Sequence, residues 1–190
     1  MKKIGILGGT FNPIHIGHLA LAQTVCDRLE LDKVIFVPSH YPPHKSRKPV
    51  LAARHRLQMV RLATAGNKKF ETSDFEIKQG GKSYSIDTLV HFKGKYPAKT
   101  KFYFLIGSDM VAGLKNWRKI NKLVKVTSFV VVRRKGFDKI KSPYPLRMIS
   151  TLDLGLSSSF LRQNLKKGRS VKYLLPQKVY EYIRQHRLYA

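Results

Sequence analysis

A chain of 190 residues with 43% hydrophobic and 11% aromatic side chains can bury one ordinary core, which excludes a disordered tail and a disulfide-stapled mini-protein and points to a single domain. Its apolar runs, such as that at 128–132, fall short of the about 18 residues that cross a bilayer, and Met1-Lys2-Lys3 leads into a glycine turn, so neither a membrane span nor a signal peptide is expected. One cysteine, Cys26, fits a reducing cytoplasm, and 37 Lys+Arg against 11 Asp+Glu give a net charge of +26, so anionic partners are expected, either a phosphate-rich ligand or nucleic acid.

In chain order, the run 2–7, apolar after Lys2-Lys3, predicts a strand, closed by Gly8-Gly9 and followed by a helical pattern through Leu19, Ala20, Ala22, Gln23 and Leu29. Residues 33–37 read as a second strand ended by Pro38, and Pro42-Pro43-His44-Lys45 as a loop, because consecutive prolines remove backbone donors. A helix is predicted over 51–65, a third strand over 70–77, a helix over 85–93 and a fully apolar strand over 102–106 that stops at Gly107. A helix at 110–114 and a turn at Trp117 precede a strand at 129–132. A last strand is placed at 148–154, then helices at 158–167 and 176–187, the latter with Pro176 in its first turn. Strand and helix alternate about five times. That order predicts an α/β fold, a doubly wound parallel sheet with helices on both faces and its ligand site at the carboxyl ends of the strands.

The densest chemical signal is Gly8-Gly9-Thr10-Phe11-Asn12-Pro13-Ile14-His15-Ile16-Gly17-His18, where the first strand turns into the first helix. Glycines there let backbone N–H groups approach a phosphate, and a helix N-terminus adds partial positive charge. The segment matches neither the dinucleotide fingerprint nor the P-loop. His15 and His18, three apart at a helix start, can present both imidazoles to one anion. His40, His55, His91 and His186 show no metal-ligand spacing among themselves, and no protein metal site is expected.

The Gly-Gly-Thr-Phe-x-Pro-x-His-x-Gly-His pattern resembles the H-x-G-H nucleotidyltransferase superfamily. It also echoes class I aminoacyl-tRNA synthetases, for whose anticodon-binding region this chain has no room. Leu156-Ser157-Ser158-Ser159-Phe160-Leu161-Arg162 resembles the superfamily's second motif, with Ser159 where threonine is usual. The intervening segments Pro42-Pro43-His44-Lys45, Ser83-Tyr84-Ser85-Ile86-Asp87-Thr88, Ile106-Gly107-Ser108-Asp109, Trp117 and Val132-Arg133-Arg134-Lys135-Gly136, with the terminal pattern at 173–183, resemble bacterial nicotinate-nucleotide adenylyltransferases over essentially the whole chain.

The resemblance implies a Rossmann-like nucleotidyltransferase domain over 1–190, its helical part at about 157–187 closing the phosphate site. It implies an ATP- and Mg²⁺-dependent enzyme of NAD biosynthesis in the cytoplasm, with ATP and nicotinate mononucleotide as its small-molecule partners, and leaves a homo-oligomer open. By the same resemblance, His15, His18 and Arg162 would be catalytic. Gly8, Gly9, Thr10 and Phe11 would line the nucleotide pocket, Asp109 would accept from ribose hydroxyls, Arg134 would lie near adenine, and Ser158 with Arg162 would close over the phosphates. Lys45, Tyr84, Ser85 and Trp117 would bind the acceptor, Trp117 by stacking and the Tyr84–Ser85 backbone by receiving the ring carboxylate. Mg²⁺ would arrive with ATP. Asn12 stands where aspartate is frequent and Ser85 where threonine is. The rival readings are an adenylyltransferase for another phosphorylated acceptor, such as nicotinamide mononucleotide, and a basic nucleic-acid-binding protein.

Overall fold

The computed structural model describes residues 1–41, 50–133, 141–151 and 154–190. Six strands form one parallel sheet: β1 Lys3–Gly9, β2 Lys33–Pro38, β3 Phe70–Thr72, β4 Lys101–Gly107, β5 Ser128–Arg133 and β6 Leu146–Ser150, in the order β3-β2-β1-β4-β5-β6. This is the doubly wound order, with its switch point between β1 and β4. The helices are α1 Ile16–Arg28, α2 Ala53–Thr64, α3 Phe75–Gln79, α4 Ser85–Lys95, α5 Ile120–Val126, α6 Ser158–Lys166 and α7 Gln177–Gln185, with 3₁₀ segments at Ser108–Asn116 and Lys172–Leu174.

Both faces of the sheet are covered, so successive strand residues enter opposite cores. Val34 and Phe36 pack with Leu21, Val25, Met59 and Val179 beneath α1, α2 and α7, while Ile35 and Val37 pack with Leu89, Phe92 and Phe104 beneath α4. That double burial is why β2 and β4 read as continuous apolar runs. Cys26 is buried in the first of these cores.

Several boundaries differ from the sequence reading. The strand expected over 70–77 ends at Thr72: the Ser73 N–H still donates to the Phe36 carbonyl, but the Ser73 hydroxyl accepts from the Phe75 N–H and turns the chain into α3. The helix at 110–114 is a longer 3₁₀ segment, and α5 was not expected, its seven residues burying only Ile120 and Leu123. The last strand begins at Leu146, directly after the Ser142-Pro143-Tyr144-Pro145 run, because pairing with β5 from Phe129↔Leu146 sets its register.

The sheet ladder opens the site. β1 pairs with β2 as far as Gly9↔Pro38, but its pairing with β4 stops at Ile6↔Phe104. Beyond that point Leu7, Gly8 and Gly9 on one side and Leu105, Ile106 and Gly107 on the other border a cleft.

Candidate active site

The cleft has a volume of about 680 Å³. One wall is the β1–α1 turn. His15 is the N-cap of α1 and only 2% exposed, and the His15 and His18 rings lie 3.8 Å apart between centroids. The His15 N–H donates to His18 Nδ1 at 3.2 Å. A backbone N–H can only donate, so Nδ1 is the acceptor and the neutral ring carries its proton on Nε2. The glycine between the histidines has a packing reason: a Cβ on Gly17 would sit 3.0 Å from His15 Nδ1.

Of the four residues that the resemblance assigns to a nucleotide pocket, Gly8, Gly9 and Thr10 border the cleft and the Phe11 side chain does not. Phe11 is 2% exposed, with a left-handed backbone (φ 47°) that folds its ring over Gly9, where a Cβ would meet ring carbons at 3.0–3.2 Å. Its edge-on packing at 5.1 Å supports the His18 ring from the core side.

The opposite motif reaches the same wall. Ser157 caps α6, accepting from the Phe160 N–H. The Ser158 hydroxyl donates to the Pro13 carbonyl at 2.9 Å. Arg162 Nη1 donates to the Asn12 carbonyl at 2.7 Å and Nη2 to the Ser159 hydroxyl at 3.1 Å. Ser158 and Arg162 both line the cleft with the histidines.

The other end is aromatic. Trp117 lines the cleft and is anchored edge-on against Phe104 and Phe129, at 5.8 and 5.9 Å. Tyr84 and Ser85 border it where α4 begins, so the Ser85 N–H belongs to the first-turn groups that a helix cannot pair internally. Asp109 lines the cleft from the 3₁₀ segment after β4. The predicted Lys45 and Arg134 lie outside the described residues.

Comparison with known proteins adds the lineage. Residues 6–175 match the cytidylyltransferase-like family. A protein of Bacillus licheniformis named "Probable nicotinate-nucleotide adenylyltransferase" is 42% identical over 189 residues, covering 100% of this chain and 99% of its own. Its namesake in Lactiplantibacillus plantarum is 44% identical, covering 99% and 88%. The chain belongs to the cytidylyltransferase-like family and groups with its nicotinate-nucleotide adenylyltransferases. A solved structure titled "Plasmodium falciparum nicotinic acid mononucleotide adenylyltransferase complexed with NaAD" shares the fold, with a TM-score of 0.82 at 24% identity, covering 100% of this chain and 98% of that one.

This nucleotidyltransferase also brings to the cleft residues that sequence reasoning missed. Arg118 stacks its guanidinium 4.7 Å from the Tyr84 ring centre and faces Asp87 at 3.7 Å. Ser39 lines the cleft with a buried hydroxyl that has no partner among the described residues. Two arginines, two histidines and two carboxyls occur among the described lining residues, so the +26 excess is not concentrated there. No motif marks Ser39 or Arg118; only the fold brings them in.

Glu76 is the second acid. It is 6% exposed and accepts from the Thr88 hydroxyl at 2.5 Å, tying α3 to α4. Burial pushes its carboxyl up, against the Thr88 and Ser83 hydroxyls that favour the ionised form. An acid whose folded value lies above its unfolded one weakens the fold as pH rises through the interval between the two. Glu76→Gln, which keeps an acceptor for Thr88, is therefore expected to exceed the parent in stability at about pH 7 and to lose that advantage near about pH 4. Urea unfolding at both values checks it; an equal advantage at both would exclude ionisation as the cause.

Proposed function

We propose that the chain transfers the adenylyl group of ATP to nicotinate mononucleotide, giving nicotinate adenine dinucleotide and pyrophosphate. The observation that carries this reading is the joining, in one cleft, of a phosphate wall (His15, His18, Ser158, Arg162) and an aromatic acceptor end (Tyr84, Ser85, Trp117), in a chain 42% identical along its whole length to a relative of that name.

A phosphate oxygen of the mononucleotide attacks the α-phosphorus of ATP; that P–O bond forms as the bond to the β-phosphate oxygen breaks. The nucleophile is already an anion near neutral pH, so neither a general base nor a covalent intermediate is needed. Catalysis then rests on aligning two polyanions and stabilising charge on the departing pyrophosphate. In this reading the Gly8, Gly9 and Thr10 backbone cradles the nucleotide. His18 Nε2–H, His15 and Arg162 face the phosphates, Asp109 accepts from ribose hydroxyls, and Trp117 stacks on the pyridine ring. Lys45 and Arg134 keep the roles the resemblance assigns them, at a substrate phosphate and near adenine.

Mg²⁺ belongs to the ATP substrate. By the resemblance it would arrive with ATP, and triphosphate oxygens and water would fill its shell. Bound there, it would neutralise charge on the pyrophosphate. No described helix is long and apolar enough to cross a membrane, and the need for ATP places the enzyme in the cytoplasm in this reading.

Purified protein with Mg²⁺ and ATP is expected to release pyrophosphate when nicotinate mononucleotide is added and not in its absence. A coupled pyrophosphate assay across a panel of phosphorylated acceptors measures this. Release with phosphopantetheine and none with nicotinate mononucleotide would sink the assignment.

A further inference from the structure

The turn joining β1 to α1 is held by side chains from distant parts of the chain. The Thr10 carbonyl accepts from Arg56 Nη1 at 2.7 Å, the Asn12 carbonyl from Arg162 at 2.7 Å, and the Pro13 carbonyl from Ser158 at 2.9 Å. Arg56 is 1% exposed and also donates to the Leu51 and His40 carbonyls, so it acts as an internal brace. A further tie is made by a side chain: the Tyr189 hydroxyl donates to Asn12 Oδ1 at 2.7 Å across 177 positions of sequence. Asn12 itself is 5% exposed and does not line the cleft.

Asn12 is thus gripped twice, through its amide by Tyr189 and through its carbonyl by Arg162. The chain after α7 curls back to make the first grip, with Arg187 (φ 47°) and Tyr189 (φ 67°) both left-handed and the Leu188 N–H donating to the Ile183 carbonyl. Left-handed backbone is unfavourable for residues with a Cβ, so the tail adopts it against local preference. Burial pushes the Tyr189 phenol up, so the hydroxyl stays protonated and remains a donor at any working pH.

We propose that Tyr189 is a positioning residue for adenylyl transfer: by fixing the Asn12 side chain it holds in place the main-chain carbonyl that aims Arg162 at the cleft. The proposal rests on the transfer reading above. Arg162 makes two hydrogen bonds in the structure, to the Asn12 carbonyl and to Ser159 on its own helix. Only the first ties its guanidinium to the wall that carries His15 and His18. Without the Tyr189 tether the Asn12 residue loses a hold on its buried side, so its main-chain carbonyl can shift relative to the guanidinium and loosen the arginine without removing it.

The test uses the full chain and pyrophosphate release with nicotinate mononucleotide. Tyr189→Phe keeps the ring and removes the donor; it is expected to lower kcat about fivefold, the worth of one net hydrogen bond, with KM for both substrates within about twofold. Asn12→Leu, which removes the acceptor instead, should show the same kcat-selective loss and serves if the tail variant does not fold. In an Arg162→Ala background Tyr189→Phe should have no further effect, because the residue it positions is gone. A folded Tyr189→Phe protein with parental kcat overturns the proposal, as does a loss that adds in full to that of Arg162→Ala. A parent protein that transfers no adenylyl group overturns the transfer reading, and this role with it, whereas an active parent with an indifferent Tyr189→Phe overturns this role alone.

Discussion

His18→Ala is expected to lower kcat about 10²–10³-fold, as removal of one preorganised donor to a developing oxyanion does. The size follows from geometry: His18 Nδ1 is occupied by the His15 N–H, so the neutral ring offers one donor, Nε2–H, and alanine leaves none. That donor is oriented before substrate arrives, with Phe11 packed edge-on beneath it. Arg162→Ala removes a guanidinium already fixed by two hydrogen bonds, and a loss of roughly 2–4 kcal/mol of transition-state stabilisation is expected. His15→Ala should be similar or milder in kcat. Steady-state kinetics with folding checked by circular dichroism measures all three; if His18→Ala and Arg162→Ala both stay folded and within about threefold of the parent, the phosphate wall is misassigned.

Nicotinate mononucleotide is expected to be preferred over nicotinamide mononucleotide by about 10²–10⁴ in kcat/KM. The two acceptors differ by one ring substituent. At the start of α4 the Ser85 and Ile86 N–H groups precede the first donors that the helix pairs to the Tyr84 carbonyl, those of Asp87 and Thr88; such end groups satisfy a carboxylate, whereas an amide turned the wrong way sets its own NH₂ against them. Arg118, stacked on Tyr84, stands beside the same corner with its charge shared by Asp87 at 3.7 Å. Each donor left unsatisfied costs about 1–3 kcal/mol, and two give the expected range. Trp117 offers area without reading charge, so Trp117→Ala should weaken both acceptors by comparable factors and leave their ratio nearly unchanged. Salt should damp the approach of both anions alike. The comparison is kcat/KM for both acceptors at two salt concentrations in parent and Trp117→Ala; equal use of the amide by the parent would defeat the carboxylate site around Ser85.

Much of this molecule is legible without coordinates, because local chemistry dictates it. Residues 34–37 are apolar at every position, as a strand covered on both faces requires, and the structure buries each of Val34 to Val37. The glycines before His15 and His18 point to a phosphate-binding turn by residue type and spacing, whereas the serines before Arg162 read as helix capping by themselves and as a phosphate motif only through the family resemblance. Short or strained elements were harder to read. A three-residue strand such as Phe70–Thr72 and a seven-residue helix such as Ile120–Val126 carry too few periods for a pattern. Phe11 illustrates the opposite error: its place in the motif suggested a lining residue, but its left-handed backbone turns the ring into the core.

Sequence by itself determined the alternating architecture and marked the two motifs that the structure brings to one cleft, since these depend on residues close together in the chain. Tertiary structure alone decided which strands neighbour one another, and hence that the ladder between β1 and β4 ends early enough to open a cleft. It alone placed Arg118, Ser39 and Glu76 on that cleft, and Tyr189 against Asn12. The physical reason is range: a turn or cap is settled by interactions within a few residues, whereas a hydrogen bond between Asn12 and Tyr189 exists only after every intervening strand and helix has packed.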